Sequence, residues 1–365
     1  MKQENPDMKL KNSTLNFSDI DNSNLKVIHG TIEIANQMHT ISEGLKKLGV
    51  DTKTLNYYPS YLGYKNDYTL DVCCFKYINE ADIETKKIAA KLIDENNIFH
   101  FHFGTTLTLD NSDLKILKSL NKKVIMHHWG SDVRRISIAK KINPYVETKN
   151  LDEESIKRNL DFLSKYIDCC IVADWELYCY VKDFYKNVAV IPQAIEIEKY
   201  DLSTKSIKEN KKFLIVHAPT NRTVKGTKFI IDAVEKLKLK YDFKFKLVEN
   251  FSHEEAKKIY QEADLIIDQL LLGEYGLFTL ECMAMGKPVI CYISNYMKSY
   301  YPKDLPVISA NCDEIETKLE FILNNRDMLK NIGFKGRKYV EKYHDHLIVS
   351  KRLLDLYKGS DNYRV

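Results

Sequence analysis

Apolar positions along the chain first indicate strands and helices that alternate. The segment LKVIHG, residues 25–30, is predicted to be a short buried strand. After this strand, apolar residues recur at spacings of four and three residues and predict one face of a helix. They are Ile34, Met38, Ile41, Leu45 and Leu48. Further strands are predicted at DVCCFKY, NIFHFHF, KKVIMHH and DCCIVA, with helices over 84–95 and 112–120. This alternation favours a mostly parallel, doubly wound α/β sheet.

A second alternation of strands and helices begins after a charged segment that is predicted to connect two domains. The segment that starts at VAVIPQ passes from an apolar strand into a charged run at about residues 196–212. Beyond it, strands are predicted at FLIVHAP, FKFKLVE, DLIID and KPVICYI, with a helix near 227–239 and another opened by a Ser252–Glu255 capping box.

The two alternations divide the chain into five predicted parts. They are a polar N-terminal extension (1–24), an N-terminal Rossmann-like domain (25–192), an interdomain linker (193–212), a C-terminal Rossmann-like domain (213–345) and a C-terminal helix (346–365) that packs back on the first domain. A length of 365 residues agrees with two domains, since it exceeds what one core usually supports. Two such domains, with parallel sheets facing a central cleft, bind ligands at the carboxyl ends of their strands.

Composition excludes several classes of protein. The 55 basic and 51 acidic residues are interspersed and give a net charge of +4, which argues against nucleic acid as a partner. No apolar run is long enough to be a transmembrane segment, and the N-terminus lacks the apolar core of a signal peptide. Eight cysteines without a C-x-x-C motif indicate free thiols in a reducing compartment. We therefore expect a cytoplasmic protein, for which peripheral membrane contact remains open.

The stretch DQLLLGEYGLFTLECMAMGKPVI, residues 268–290, is the most informative for chemistry. Gly273 and Gly276 bracket a turn, and the helix that follows can hold a phosphate on its first backbone amides. Glu281 lies further along this helix and can accept hydrogen bonds from two adjacent ribose hydroxyls. Because an unpaired carboxylate in this apolar run would be costly, a binding role is favoured over a solvated side chain.

This stretch resembles the E-x7-E motif of the retaining glycosyltransferases of family 4, which have the GT-B fold. Glu281 matches the second Glu of the motif, and Tyr275 and Gly276 match its Phe-Gly. The first Glu, which contacts the donor sugar in the family, is replaced by Gly273, so Glu274 is displaced by one residue. Three alternatives stay open: Glu274 reaches the sugar, backbone amides at Gly273 hold it, or the site is inactive. The same resemblance places Leu277 among the residues expected to bind the donor.

A second stretch, HAPTNRTVKGT, residues 217–227, carries two cations before a helix. Arg222 and Lys225 stand three residues apart and are predicted to converge on one diphosphate, whose negative charge they stabilise as it leaves. Alone, an ordinary solvated basic loop would be the better interpretation. The stretch is similar, however, to the family's G-R-x4-K-G segment, in which Arg and Lys bind the donor diphosphate.

The first domain offers polar residues where its strands end. KKVIMHHWGSD resembles the strand of the family that ends in H-G-S-D, so His128 is assigned to the donor sugar hydroxyls, with His127 as the alternative. Asp132 of this segment joins the predicted catalytic set, together with His128 and Glu274. The acceptor side, or cleft edge, is assigned to His127, His102, Thr105 and Asn36. His100 and His102 have no third ligand at credible spacing, so core or cleft-edge histidines are favoured over a metal site.

The resemblance implies a retaining transferase of a hexosyl or N-acetylhexosaminyl group. The donor is expected to be a nucleotide sugar, with UDP-sugar chosen from the family alone, and the acceptor is a glycan, a lipid-linked molecule or a small molecule. No metal or other cofactor is expected, because cations and a helix dipole replace it. The alternatives are a catalytically silent relative that binds a partner glycosyltransferase or a glycan, and another enzyme of this fold such as a phosphorylase or a sugar-nucleotide epimerase.

Overall fold

The computed structural model describes residue 22 and residues 24–60, 63–202 and 212–360. Most of the predicted N-terminal extension, 1–24, and residues 203–211 of the predicted linker lie outside the described residues. The chain forms two compact units. The first comprises the described parts of 1–133, 154–194 and 346–365, and the second comprises those of 134–153 and 195–345. Residues 134–153, which the sequence assigns to the N-terminal domain, therefore belong to the second unit.

The strands and helices are numbered in chain order. The strands are β1 Lys26–Thr31, β2 Asp51–Asn56, β3 Tyr68–Thr69, β4 Ile98–His102, β5 Lys123–His128, β6 Cys169–Val172, β7 Asn187–Val190, β8 Leu214–His217, β9 Lys244–Leu247, β10 Leu265–Ile267 and β11 Val289–Ile290. The helices are α1 Gln37–Lys47, α2 Ile78–Glu95, α3 Asp113–Ser119, α4 Ile136–Ile142, α5 Glu153–Leu163, α6 Trp175–Val181, α7 Arg222–Lys225, α8 Thr227–Lys238, α9 His253–Glu262, α10 Leu277–Ala284, α11 Asn295–Lys298, α12 Ile315–Asn324, α13 Met328–Tyr343 and α14 His346–Tyr357.

A seven-stranded parallel sheet forms the centre of the first unit, with strand order β3-β2-β1-β4-β5-β6-β7. Apolar residues of its central strands pack with one face of α1 and with α14. Helix α14 lies against α1, where the Ser350 hydroxyl donates to the carbonyl of Ile41 at 3.2 Å. The Lys123 ammonium donates to the carbonyls of Leu356 and Tyr357 at 2.9 and 2.7 Å and so caps the end of α14.

The second unit is built on a four-stranded parallel sheet with strand order β11-β10-β8-β9. Its core is closed by α8 and α12, whose buried residues include Ile230, Val234, Leu319 and Ile322. The predicted capping box is confirmed, since Ser252 and Glu255 bond each other reciprocally at the start of α9. The two parallel sheets with helices between their strands confirm the predicted α/β architecture.

In the first unit, one predicted strand is absent and one observed strand was not predicted. DVCCFKY is not a strand: Val72–Cys74 forms a single 3₁₀ turn, opened by the Asp71 carboxylate, which accepts the amide of Cys73 at 3.0 Å. Its two cysteines are exposed, whereas the predicted strand required buried side chains. The strand β2 was not predicted, because its buried residues Thr52 and Thr54 are polar. None of the described helices is both long and apolar enough to span a membrane.

Candidate functional site

Glu281, on α10 of the second unit, is held by two neighbours. Its Oε1 atom accepts the Tyr200 hydroxyl and the Nε2–H group of His253, each at 2.9 Å. The hydrogen bond to Glu281 raises the pKa of His253, so the imidazole is biased toward its cationic form. Among the described residues, Oε2 takes no hydrogen bond. This carboxylate is therefore oriented in advance and has one oxygen available to a ligand.

Lys225 lies beside the first turn of the same helix. Its ammonium donates to Asp268 Oδ1 at 2.5 Å and to Gln269 Oε1 at 2.7 Å. The other oxygen of Asp268 accepts the hydroxyl of Thr279, the third residue of α10, at 2.7 Å. The Gln269 amide donates to the carbonyl of Glu274 at 2.5 Å. One hydrogen-bond network thus joins Lys225 to the start of α10 and to the turn that precedes it.

The turn before α10 requires glycine at position 273, where the resemblance to the family would place a glutamate. Gly273 has a φ of +86°, and a Cβ atom there would lie 2.8 Å from Asn143 Nδ2 and 2.9 Å from Ser294 Cβ. A glutamate at 273 would be strained and would clash, so the turn needs glycine. The carboxylate one residue later, on Glu274, accepts from Arg134 Nη2 at 3.3 Å, and both side chains are nearly buried.

The remaining residues of the turn have different environments. The Tyr275 hydroxyl lies 3.0 Å from Tyr339 Oη and 3.0 Å from His344 Nε2, so this side chain anchors the turn inside the unit. At Gly276, the N-cap of α10, an added Cβ would meet no atom within 4 Å among the described residues. The backbone at the start of α10, which Leu277 begins, is therefore open to a ligand.

Arg222 and Lys225 bond to different carboxylates, and their convergence on one diphosphate remains a prediction. The guanidinium of Arg222 is exposed and donates twice to Glu249, from Nε at 2.7 Å and from Nη2 at 2.5 Å. Glu249 follows β9, whereas Asp268, the partner of Lys225, follows β10, and β8 lies between these two strands. The two cations stand three residues apart on α7 but bond to carboxylates on opposite sides of β8. The spacing of Arg222 and Lys225 along the chain does not predict that they have different carboxylate partners.

Sequence reasoning missed several residues around this network. Asn143 donates to the carbonyls of Leu271 and Leu272 at 2.7 and 2.9 Å and so holds residues 134–153 against the turn. Arg134 comes from the same segment and brings a further cation to Glu274. No motif marks these residues, nor Tyr200 and His253, because their role depends on tertiary packing.

His217 fixes the end of β8 to its neighbours in this unit. Its Nδ1–H group donates to the Ile267 carbonyl at 2.8 Å, and Nε2 lies 2.9 Å from the Thr227 hydroxyl. Burial lowers the pKa of His217 to about 4. The neutral ring is therefore the form that the fold accommodates.

A pH-dependent stability is expected from this imidazole. Between pH 6.5 and about 4 the unfolded chain binds a proton that the folded state excludes, so the free energy of unfolding falls as the pH falls. The loss is about 1.4 kcal/mol per pH unit, or roughly 3 kcal/mol over this window. His217→Gln keeps a donor and an acceptor but does not titrate. Urea unfolding of both proteins between pH 7.5 and 4.5 should show a shallower slope for the variant; parallel curves would contradict the assignment.

In the first unit, His128 and Asp132 bond to each other and are buried. His128 Nδ1–H donates to Asp132 Oδ2 at 2.7 Å, and Nε2 lies 2.9 Å from the Tyr185 hydroxyl. Asp132 Oδ1 also accepts the amides of Trp129 and Gly130, at 3.1 and 2.8 Å. The pair holds the turn after β5, and its predicted contact with a donor sugar remains a prediction.

Four histidines share one face of the central strands of this sheet. Register places His29 beside His100 and His102 beside His127, all of them buried. Burial lowers the pKa of each ring, that of His29 to about 3. Nitrogens of His29, His100 and His102 lie within 4.8 Å of one another, so the third histidine that spacing did not reveal comes from β1. His102 and His127 thus lie in the core of the unit rather than at an exposed edge.

The hydrogen bonds of His102 define which of its ring nitrogens carries the proton. The Trp129 indole N–H donates to His102 Nδ1 at 3.1 Å, so the proton of His102 is on Nε2, which lies 3.2 Å from His29 Nδ1 and donates to it. His102 thus uses both nitrogens within a chain of neutral imidazoles. A metal ion at Nε2 would need the lone pair that this tautomer lacks.

Thr105 and Asn36, the other predicted acceptor-side residues, follow two adjacent strands. The Thr105 hydroxyl donates to the His102 carbonyl at 2.8 Å and accepts the Thr31 hydroxyl at 3.0 Å. Asn36 has a φ of +62° and is the N-cap of α1, where its carbonyl accepts the Thr40 amide at 3.0 Å. Both residues shape loops at the carboxyl ends of β4 and β1, and their contact with an acceptor remains a prediction.

Known proteins resemble the chain in structure but not detectably in sequence. No protein-family model matches it, and no curated protein has a significantly similar sequence. Sucrose-phosphate synthase from Thermosynechococcus elongatus is 12% identical, with a TM-score of 0.60 over 92% of this chain and 98% of that one. Anabaena HepE, solved with UDP-glucose, is 10% identical, with a TM-score of 0.60 over 92% and 100%.

A third similar structure belongs to a protein described as having a different activity. A Listeria monocytogenes protein described as a UDP-N-acetylglucosamine 2-epimerase is 13% identical, with a TM-score of 0.59 over 93% of this chain and 98% of that one. The chain has the GT-B fold that its sequence predicts. Identities this low show the fold alone, and one fold serves several activities.

Proposed function

We propose that this protein is a glycosyltransferase that takes a sugar from a nucleotide diphosphate sugar, with a UDP-sugar as the preferred donor. The observation that carries the proposal is the network of the second unit, in which Lys225 is bonded through Asp268 to the first turn of α10. A cation and a helix start at one place suit a leaving diphosphate, because they stabilise its charge without reorganising. Glu281 lies further along the same helix, where it can bind the ribose.

We propose roles for further residues as well. The first amides of α10 and Lys225 bind the diphosphate, and Glu281 Oε2 accepts a ribose hydroxyl. Glu274, oriented by Arg134, is assigned to the donor sugar. The roles of His128 and Asp132 toward the sugar hydroxyls stay predictions from the sequence. Attack on the same face from which the diphosphate leaves would retain the anomeric configuration. Fixed cations supply the positive charge, so the proposed reaction needs no metal. The acceptor belongs to the glycans, lipid-linked molecules or small molecules.

The similar structures support a nucleotide sugar as ligand. HepE was solved with UDP-glucose. That ligand is known for HepE, and we propose the same ligand class for this chain. The protein described as an epimerase has the same fold, so the test must separate transfer from epimerisation.

The test incubates the full chain with UDP-, GDP- and ADP-sugars and a panel of acceptors, and follows nucleotide release together with the products. Release with a glycosylated acceptor supports the proposal. Donor binding without turnover, whatever acceptor is offered, would instead indicate a silent binding subunit. A 2-epimer of an N-acetylhexosamine donor, formed without an acceptor, would indicate an epimerase.

Glu281→Gln should weaken the binding of UDP by about 10- to 100-fold, because a charge-assisted hydrogen bond to the ribose is lost. The wild-type protein should prefer UDP to 2′-deoxy-UDP or 3′-deoxy-UDP, and the variant should lose much of that preference. Isothermal titration calorimetry measures both quantities. Glu254→Gln, a change of the same charge on the exposed part of α9, is the control. Equal discrimination in Glu281→Gln and wild type would remove Glu281 from the ribose site.

A further inference from the structure

His253 reaches Glu281 from the first residue of α9. The capping box of Ser252 and Glu255 fixes the first turn of this helix and so the backbone that carries the imidazole. The Nε2–H group of His253 donates to Glu281 Oε1 at 2.9 Å. The Tyr200 hydroxyl donates to the same oxygen at the same distance. Both contacts lie on Oε1, so they orient the carboxylate without covering Oε2.

His253 and Glu281 form a partly shielded pair. Their side chains are 28% and 12% exposed, so solvent and salt screen their attraction less than that of a surface pair. Among the residues that the structure describes, His253 is the only basic side chain that pairs with Glu281. The Tyr200 hydroxyl donates a hydrogen bond but no charge. The pair is therefore neutral when His253 is an imidazolium and negative when it is not.

The surroundings of His253 favour the imidazolium. The hydrogen bond to Glu281 raises the pKa of His253 above its ordinary value of 6.5, although partial burial opposes this. On α9 itself, the charge of Glu254 raises the pKa further and that of Lys257 lowers it. The groups that face the imidazole from α9 and α10 thus favour, taken together, the charged form of the ring.

We infer that His253, as an imidazolium, neutralises Glu281 and positions its Oε2 atom for the ribose of a nucleotide sugar, so that donor binding weakens when His253 loses its proton. This inference rests on the proposed function, in which Glu281 binds the ribose. The diphosphate of the donor brings two negative charges to this site. An unneutralised carboxylate repels them, whereas the imidazolium–carboxylate pair does not. His253 acts through Glu281 and is a positioning residue.

Calorimetric titration of the full chain with a UDP-sugar, from about pH 6 to pH 8.5, tests this inference. A GDP- or ADP-sugar replaces it if wild type prefers that base. The two phosphodiester charges of the donor stay constant over this range. Wild-type affinity should fall by about 3- to 10-fold as the pH rises through the pKa of His253. His253→Gln keeps an N–H donor but does not titrate, so its affinity should stay near the wild-type value at high pH.

Lys258→Gln is the matched control for the loss of a positive charge. Lys258 is exposed on the same helix, so this variant should keep the wild-type pH profile. Thermal unfolding of each variant checks that it is folded.

Titration of the histidine side chains by NMR gives a second measurement, which does not depend on the affinity. The signal that is absent from His253→Gln identifies His253. Its pKa should fall in Glu281→Gln, because the carboxylate that stabilises the imidazolium is gone. In wild type, the bound donor should raise the pKa of His253, because protonation and donor binding are reciprocally linked. A purely structural role of His253 would not produce this response to the donor.

The outcomes separate this inference from the function on which it rests. If wild type binds none of the three nucleotide sugars, the proposed function fails, and this inference fails with it. If wild type binds one with an affinity that does not depend on pH, only the assignment of His253 is overturned. The same holds if His253→Gln keeps the wild-type pH profile, or if the bound donor leaves the pKa of His253 unchanged.

Discussion

Lys225→Met is expected to lower nucleotide-sugar turnover by about 10²- to 10³-fold, the loss typical of one electrostatic donor to a developing charge. Lys225 stands at the point where the network meets the start of α10, so its ammonium faces the leaving diphosphate in the proposed reaction. The rate of nucleotide release at saturating donor, with the best acceptor found, is the measurement. Lys238→Met on the exposed end of α8 is the matched control and should stay near the wild-type rate.

This substitution also has a structural cost, which a second variant separates from catalysis. The Asp268 side chain is fully buried, and removal of its partner leaves an uncompensated charge, which costs about 3–5 kcal/mol. Adding Asp268→Asn to Lys225→Met removes that charge and keeps an oxygen for the Thr279 hydroxyl. The double variant should regain much of the stability without regaining turnover. A stable double variant with near wild-type release would exclude Lys225 from the reaction.

Local patterns predicted much of the fold. The spacing of Met38, Ile41 and Leu45 predicted α1, and all three side chains are buried in the structure. The Ser252–Glu255 pair predicted the start of α9 because a capping box is formed by residues within one turn. Signals of this kind act within a few residues, so a single sequence contains them. The missed β2 shows the limit, since Thr52 and Thr54 are buried polar residues that an apolar pattern does not count.

The partners of the site residues depend on which strands pair and on how segments distant in the chain pack together. A single sequence does not show either. His29 joins His100 because β1 pairs with β4, although the two residues are distant in the chain. Arg222 and Lys225 separate because β8 lies between β9 and β10 in the sheet. Their spacing along the chain does not predict these different carboxylate partners, and their shared binding of a diphosphate remains a prediction.

The variant motif is the clearest case in which local and tertiary requirements compete. A glutamate at 273 would satisfy the family pattern, but the left-handed turn and the close approach of Asn143 and Ser294 leave room only for glycine. Asn143 belongs to residues 134–153, whose docking on the second unit the sequence did not indicate. The same segment supplies Arg134, which orients Glu274. The glycine at 273 and the docked segment 134–153 are thus parts of one arrangement.

Gly333→Ala is expected to destabilise the second unit by about 3 kcal/mol or more, as overpacking of a close backbone contact does. A Cβ atom at 333 would lie 2.0 Å from the carbonyl oxygen of Gly286, where α13 passes the end of α10. The oxygen is a backbone atom and the added Cβ is fixed directly to the backbone of α13, so relief requires α13 to move away from the helix that carries Glu281. The midpoint of thermal unfolding should fall by roughly 6–12 °C for a unit of this size.

Gly336→Ala, one turn further along α13, is the matched control. Its added Cβ would lie 3.1 Å from Cγ of Met283, a flexible side chain that can shift, and alanine favours the helix by up to about 1 kcal/mol. The stability of this variant should stay within about 1 kcal/mol of wild type. Since Gly333 and Gly336 share one helix and one substitution, a difference between them isolates the backbone contact with Gly286. Equal midpoints for the two variants would show that α13 does not approach α10 as closely as this contact requires.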